Sequence, residues 1–298
     1  MNKYVDYIKS NKLGLVYTDH FFSELTTLKI GGKVSVLYYP HSLEQFVNFY
    51  NYYNQFRDCP IFILGNGSNV LASSNGYNGI VICFKKMKYK YSYIIQGEEV
   101  IVNVNSGVLL MDVINYFKKI NIGGLEKLSY IPGTIGGIVK MNAGAFNDEI
   151  GNYIKSVTVL EEGKIKKIEK ISFKYRTSNI NSIILEVEIC LKRMAEQDIE
   201  LTINKIKKSR LDKQPIMMKN AGSTFKNFDD IKVWKLIDEL GLRGYTINDA
   251  AVSTMHTNFL VNKNNCKSDD MLRLIELIKE QVYEKYKIAL ECEWIILN

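Results

Sequence analysis

Few backbones accommodate residues 131–150, IPGTIGGIVKMNAGAFNDEI, where Gly133, Gly136, Gly137 and Gly144 follow Pro132 in quick succession. Glycine reaches torsions closed to other residues and lets a partner approach the main chain. No ordinary helix or strand is expected there. The stretch is therefore a candidate cofactor cradle, in which a flat or phosphorylated ligand would meet backbone N–H groups at close range. A tight turn in a packed sheet uses glycine in the same way, so both readings stand at this point.

A second glycine segment, Gly65-Asn66-Gly67-Ser68-Asn69, lies directly after the apolar run Ile61-Phe62-Ile63-Leu64 and Pro60. The run is short and β-branched, which predicts a buried strand that opens into a loop. A dinucleotide-binding βαβ unit would need a third glycine and a following helix. Here Val70-Leu71, a turn at residues 73–76 and the apolar run 80–84 come next. The spacing predicts strand, loop and strand, with the loop acting as a phosphate nest. Two such segments can hold one large cofactor.

Elsewhere the pattern mixes helix and strand, which gives an α+β fold. Ser42-Leu43-Glu44-Gln45 has the form of a capping box before a helix reaching about residue 56. Alternation at 99–105 predicts a strand, 109–120 a helix, 153–161 and 164–171 a hairpin about Glu162-Gly163, and 183–191 a further strand. From residue 195 a charged helix runs to Arg210, another helix spans 230–240, and Met271, Leu274, Ile275, Ile278 and Val282 form an apolar stripe. The chain is expected to close with a strand over 288–296. A boundary near residue 194 gives lobes at 1–84 and 85–194 and a third domain at 195–298, whose last strand returns to the active site.

Composition narrows the function. At 298 residues, with 46% hydrophobic and 24% charged residues, the chain suits two or three lobes with sizeable cores. The first twelve residues lack the apolar core of a secretion signal, and no uncharged apolar run approaches about 18 residues. A cytoplasmic, membrane-free protein is expected. Cys59, Cys83, Cys190, Cys266 and Cys292 include no CxxC pair, and His20, His41 and His256 make no ligand pair, so neither disulfide nor metal chemistry is expected. The net charge of +7 is dispersed among acidic residues, which disfavours a nucleic-acid surface and suits an anionic small molecule.

Several polar residues offer chemistry, and each also has a structural reading. Arg176, in Lys174-Tyr175-Arg176-Thr177-Ser178, carries a planar fork suited to carboxylate or phosphate, or is a surface loop arginine. Ser223, in Ala221-Gly222-Ser223-Thr224-Phe225-Lys226-Asn227, is a proton donor or a turn residue. In a final strand Glu291 and Glu293 would share one face, either solvated or set in a cleft for proton work.

Seven segments together, in this order, resemble the flavin-dependent UDP-N-acetylenolpyruvoylglucosamine reductases (MurB). They are TTLKIGG at 26–32, LGNGSNVL at 64–71, IPGTIGGIVKMNAGA at 131–145, YRTS at 175–178, AGSTFKN at 221–227, AVSTMHTNFLVN at 251–262 and LECE at 290–293. The short stretch between Ser178 and Ile184 resembles the compact subclass that lacks an extra substrate-covering loop. The resemblance implies an FAD-binding region of the p-cresol methylhydroxylase type and a C-terminal α+β substrate-binding lobe. It implies reduction of UDP-N-acetylglucosamine enolpyruvate to UDP-N-acetylmuramate in peptidoglycan biosynthesis, with NADPH reducing FAD and hydride passing to the enolpyruvyl methylene carbon.

By the same resemblance Gly65, Asn66, Gly67, Ser68 and Asn69 hold the FAD pyrophosphate, while Pro132, Gly133, Gly136, Gly137, Asn142, Ala143 and Gly144 line the flavin. Arg176, Ser223 and Glu293 become catalytic and converge over the reactive ring; Tyr175, Lys226 and Asn227 contact a UDP-sugar, and the protein is expected to be a monomer. A fork at Arg176 would favour the enolate-like charge of the transition state, and so basic a carbon can take a proton from serine. Lys140, where the family often has an aromatic, the pair Lys219-Asn220, and Asn248, where glycine is common, depart from the pattern. Two alternatives remain on sequence: a flavin oxidase or dehydrogenase with another substrate, and a non-catalytic sugar-nucleotide binding module.

Overall fold

Apolar residues at helical and alternating spacing divide the chain among three cores, in the mixed α+β arrangement that the sequence predicts. The computed structural model describes residues 1–228 and 230–298. They form two units: Met1–Thr18, Val36–Asn66 and Gly79–Lys208 in the first, and Asp19–Ser35, Gly67–Asn78 and Ser209–Asn298 in the second.

The first unit contains two of the cores. In one, Phe46 and Phe49 from helix Leu43–Asn54 pack with Tyr4 and Ile8 from helix Asn2–Ser10 and with Tyr38, Ile80 and Ile82 from strands. The predicted cap is present, Ser42 Oγ accepting from Gln45 N at 3.2 Å. Strand Ile61–Ile63 runs parallel to its partner, Ile61 facing Ile80, and a loop leaves its C-terminal end. The other core lies on an antiparallel sheet ordered Lys164–Ile168, Ile154–Glu161, Ile183–Arg193, Glu99–Asn105 and Tyr91–Gln96. Val100, Val102, Val104, Val157, Val159, Val187 and Ile189 are its inward faces, covered by Val113 and Phe117 of helix Leu110–Lys118. Glu162 and Gly163, at φ +49° and +79°, make the tight hairpin turn that Glu-Gly foreshadows.

In the second unit an antiparallel sheet is ordered Lys219–Ser223, Phe259–Asn262, Ala250–Val252 and Thr246–Ile247. Helix Ser268–Tyr286 buries Met271, Leu274, Ile275, Ile278 and Val282 against the same core as Leu236 and Ile237 of helix Val233–Glu239. Each such side chain contributes roughly 1.5–3 kcal/mol through burial. Asn248 explains its own departure: it holds φ +50° in a two-residue hairpin turn, where glycine or asparagine is tolerated, and donates to Asp270 Oδ1 at 2.8 Å.

Two expectations are corrected. Residues Ile135–Lys140 do form a helix, because Thr134 caps it and Ile135, Ile138 and Val139 are buried, which outweighs two glycines. The final strand is only Ile295–Leu297, paired in parallel with Val70–Ala72. Residues 288–294 are irregular apart from one bridge between Cys292 and Phe225, so Glu291 and Glu293 are not strand neighbours on a common face.

Candidate active site

The two glycine segments touch within the first unit. Asn66 Nδ2 donates to Pro132 O at 2.8 Å, and Gly65 lies so close to Thr134 that a Cβ would sit 2.7 Å from its Oγ1. Lys85 Nζ reaches Asn66 Oδ1 at 3.4 Å, which brings a cation to the loop. Among the described residues, the backbone N–H groups of residues 65–69 donate to no internal acceptor. Five consecutive uncommitted donors form a nest suited to phosphate oxygens.

The other cradle works differently from expectation. Gly133 N donates to Ile131 O at 2.9 Å, Gly136 N to Ser106 O at 2.8 Å and Gly137 N to Thr134 Oγ1 at 3.4 Å. Those N–H groups are committed internally, so this segment does not serve as an anion nest. Its glycines act by lacking a side chain. A Cβ on Gly133 would lie 2.6 Å from Ile138, on Gly136 2.7 Å from Ser106, and on Gly144 2.5 Å from Asp148 O. Gly137 alone of the four is exposed, with only Thr134 Oγ1 at 3.4 Å from a Cβ position. It is the glycine whose bareness the protein's own packing does not require, and it leaves a smooth face for a planar group. Within the first unit, the free N–H groups of Gly65 and Asn66 suit a phosphate oxygen and the face at Gly137 suits a flat ring system.

Arg176 lies in the two-residue turn of a hairpin, Phe173–Lys174 with Thr177–Ser178. Its φ of +57° is a conformation that non-glycine residues hold at a cost on the order of 1 kcal/mol. The hairpin is pinned to the glycine helix by three contacts. Buried Asn142 donates through Nδ2 to Lys174 O at 3.0 Å, Ser178 Oγ donates to Lys140 O at 3.0 Å, and the Lys140 ammonium donates to Ile180 O. The guanidinium of Arg176 also lies 5.0 Å from the ring centroid of Tyr175, which is exposed. Ala143 is half-buried beside Asn142 and packs on the sheet core.

In the second unit a β-bulge presents Ser223. Register with the neighbouring strand slips by one residue between Asn220 and Ser223, and Gly222 takes φ +78°. Bulges of this kind re-aim the side chain that follows. Asn220 builds it, accepting from Gly222 N through Oδ1 at 3.0 Å and donating through Nδ2 to Pro215 O at 2.9 Å, while Lys219 Nζ donates to Asn264 O at 2.9 Å. Beyond the bulge Glu293 N donates to Thr224 O at 2.8 Å, and Lys226 N to Glu291 O at 2.9 Å. Glu293 is thereby bound to the residue adjoining Ser223. Its own carbonyl accepts from Asn69 Nδ2 at 3.0 Å, so the Asn69 side chain holds Glu293 in place. Lys226 forms an ion pair with exposed Glu291, and Asn227 Oδ1 accepts from Val233 N at 3.2 Å at the start of a helix. Gly67, at φ +66°, accepts from Thr27 N at 3.1 Å; Ser68 is half-buried.

Three residues of this machinery had no assigned role in the sequence. Thr134 both caps the glycine helix and abuts Gly65, and its spacing before Gly137 is a cap signal. Asn258 is buried and clamps Phe225 from both sides, accepting from its N and donating to its O at 3.0 and 2.8 Å. Thr27 Oγ1 donates to Asn220 O at 2.7 Å. The last two contacts join residues far apart in the chain and leave no local signal.

A family described as FAD binding domain matches residues 34–169, and one described as UDP-N-acetylenolpyruvoylglucosamine reductase, C-terminal domain, matches 214–297. A UDP-N-acetylenolpyruvoylglucosamine reductase of Clostridium tetani is 38% identical, covering 100% of this chain and 98% of the relative. The chain belongs to the UDP-N-acetylenolpyruvoylglucosamine reductase family. The reductase of Orientia tsutsugamushi (strain Boryong) is 36% identical over 95% of this chain and 94% of its own. The crystal structure of the Thermus caldophilus reductase superposes with a TM-score of 0.79 at 29% identity, over 95% of this chain and all of that one. An alkyldihydroxyacetonephosphate synthase, at 14% identity and a TM-score of 0.51, shares the fold over 65% of this chain and 40% of its own. Both glycine segments lie inside the FAD-binding match, Ser223 and Glu293 inside the C-terminal match, and Arg176 between them.

Proposed function

We propose that this protein reduces UDP-N-acetylglucosamine enolpyruvate to UDP-N-acetylmuramate with FAD and NADPH, a step of peptidoglycan biosynthesis, as a cytoplasmic monomer. What carries the reading is the full-length kinship with the reductases together with the unspent N–H run at 65–69 and the bare face at Gly137. In this reading the chain carries FAD-binding lobes at 1–84 and 85–194 and a substrate-binding domain at 195–298.

Residues 65–69 would hold the pyrophosphate of FAD, and Pro132, Gly133, Gly136, Gly137, Asn142, Ala143 and Gly144 would line its ring system. Bound there and reduced by NADPH, FAD would supply hydride to the enolpyruvyl methylene carbon. Hydride addition there pushes the double-bond electrons onto the carbon bearing the carboxylate and spreads them into it. Arg176, a fork in a rigid turn, stabilises that charge through paired hydrogen bonds, and strengthens its hold as the charge grows. Ser223 gives its hydroxyl proton to the α-carbon, completing addition of one hydride and one proton. Glu293, tethered to Thr224, supports the proton transfer as an acid or hydrogen-bonding partner. Lys226 serves the diphosphate and Tyr175 and Asn227 the rest of the UDP-sugar. The Lys226–Glu291 ion pair gives way when phosphate oxygens compete for that ammonium.

The test is NADPH consumption by the flavin-loaded protein with product identification by mass spectrometry. Consumption that requires the enolpyruvyl sugar nucleotide and yields UDP-N-acetylmuramate supports the proposal. Consumption driven by air alone, with the nucleotide unchanged, supports a flavin oxidase instead.

A further inference from the structure

We propose that Lys140 is a positioning residue: it sets the height and orientation of the turn that carries Arg176. The inference rests on the role given above to Arg176. Lys140 ends the glycine helix, and it holds the hairpin at two points. Its carbonyl accepts from Ser178 Oγ at 3.0 Å, and its ammonium donates to Ile180 O. Ser178 is the last residue of the hairpin's second strand, two positions after Arg176, and Ile180 lies two further on, anchored in the sheet core. Asn142, two residues beyond Lys140, secures the first strand through Lys174 O and is itself held by Gly151 N, which donates to Asn142 Oδ1 at 3.0 Å. Both strands of the hairpin therefore hang from the end of one short helix, the helix that also presents Gly137.

A turn carrying a non-glycine residue at φ +57° relaxes unless its surroundings over-determine it. Lys140 supplies that determination from the exit side. The ammonium is well suited to it, since a charged donor makes a stronger bond to a carbonyl than a neutral one. Lys140 is exposed as a residue, yet its ammonium is turned in on Ile180 O, and loss of water there lowers its pKa from the ordinary lysine value. An ammonium committed in this way holds the main chain rather than meeting a substrate phosphate.

The experiment is a double-mutant cycle on the flavin-loaded protein, following each half-reaction by stopped flow. Lys140→Met should leave the flavin spectrum and bleaching by NADPH unchanged, and slow reoxidation by the enolpyruvyl sugar nucleotide about 10- to 100-fold, in kcat rather than KM. Lys140→Arg, which keeps a charged donor, should recover most of that loss. In an Arg176→Ala background Lys140→Met should add little. An undiminished further loss there, or a rise in KM at unchanged kcat, would overturn the inference by showing that Lys140 acts elsewhere or on the substrate. If Arg176→Ala itself reoxidises at the normal rate, the Arg176 assignment fails and this inference falls with it. If Lys140→Met does not retain flavin, Ser178→Ala severs the companion bond and should slow the same half-reaction; a normal rate there refutes the clamp.

Discussion

Replacing Gly137 by alanine should drive stability and cofactor binding in opposite directions. Gly137 has helical torsions inside Ile135–Lys140, is exposed, and would place a Cβ no closer than 3.4 Å to Thr134 Oγ1. The new methyl group meets no clash, and alanine restricts the unfolded chain, so the flavin-free protein should gain about 0.5–1 kcal/mol. That corresponds to about 1–4 °C in Tm for a unit of this size. If a flat ring lies on the same face, the methyl group overpacks the contact and costs about 1–3 kcal/mol of binding, or roughly 5- to 150-fold in Kd. Calorimetry of the flavin-free protein and fluorescence titration with FAD read the two effects separately. Gly136→Ala, with its Cβ 2.7 Å from Ser106, is the control: it should lower stability outright. A Gly137→Ala protein that is more stable and binds FAD with unchanged affinity would refute the placement of the ring.

Other consequences are equally direct. Ser223→Ala should bleach normally with NADPH and reoxidise about 100- to 10,000-fold more slowly with substrate, measured by stopped flow; equal loss in both halves would deny it the proton. Gly65→Ala should weaken FAD retention, because its Cβ displaces Thr134 Oγ1 and releases a helix cap worth about 1 kcal/mol, which urea titration would report. Arg176→Gly should slow turnover sharply, to a residual measurable rate, while leaving Tm unchanged or higher, since glycine relieves the positive φ. Burial, aided by Arg243, lowers the pKa of His256 below its ordinary 6.5. The unfolded chain then binds that proton more readily than the folded one, so the stability His256 contributes is present above about pH 6.5 and is lost as pH falls. His256→Gln should flatten urea-measured stability between about pH 7 and 5.

How much was legible in the sequence follows from how local each cause is. The stripe from Met271 to Val282, the cap at Ser42 and the Glu162-Gly163 turn are written in neighbouring residues and recur in the structure. The loop after Ile61–Ile63 was readable for the same reason. The short helix over the glycines was not, because its support is tertiary: Ser106 under Gly136 and a core around Ile135 and Val139. The expected long last strand failed because alternation from Ile288 to Ile296 reports burial on one side, while among the described residues strand pairing reaches only Cys292 and Ile295–Leu297. In the site, glycine counts could not tell a nest from a packing requirement. The hydrogen bonds do: residues 65–69 keep their donors, whereas Gly133, Gly136 and Gly137 commit theirs. Nor does any local pattern foretell that Asn69 secures Glu293, or that Asn220 shapes the bulge before Ser223.

The most direct measurement is an anaerobic spectral titration of the purified, FAD-loaded protein. NADPH should bleach its yellow band, and one equivalent of UDP-N-acetylglucosamine enolpyruvate should then restore the colour as UDP-N-acetylmuramate forms. A protein that stays bleached with the sugar nucleotide and regains colour only on admitting air would contradict the account.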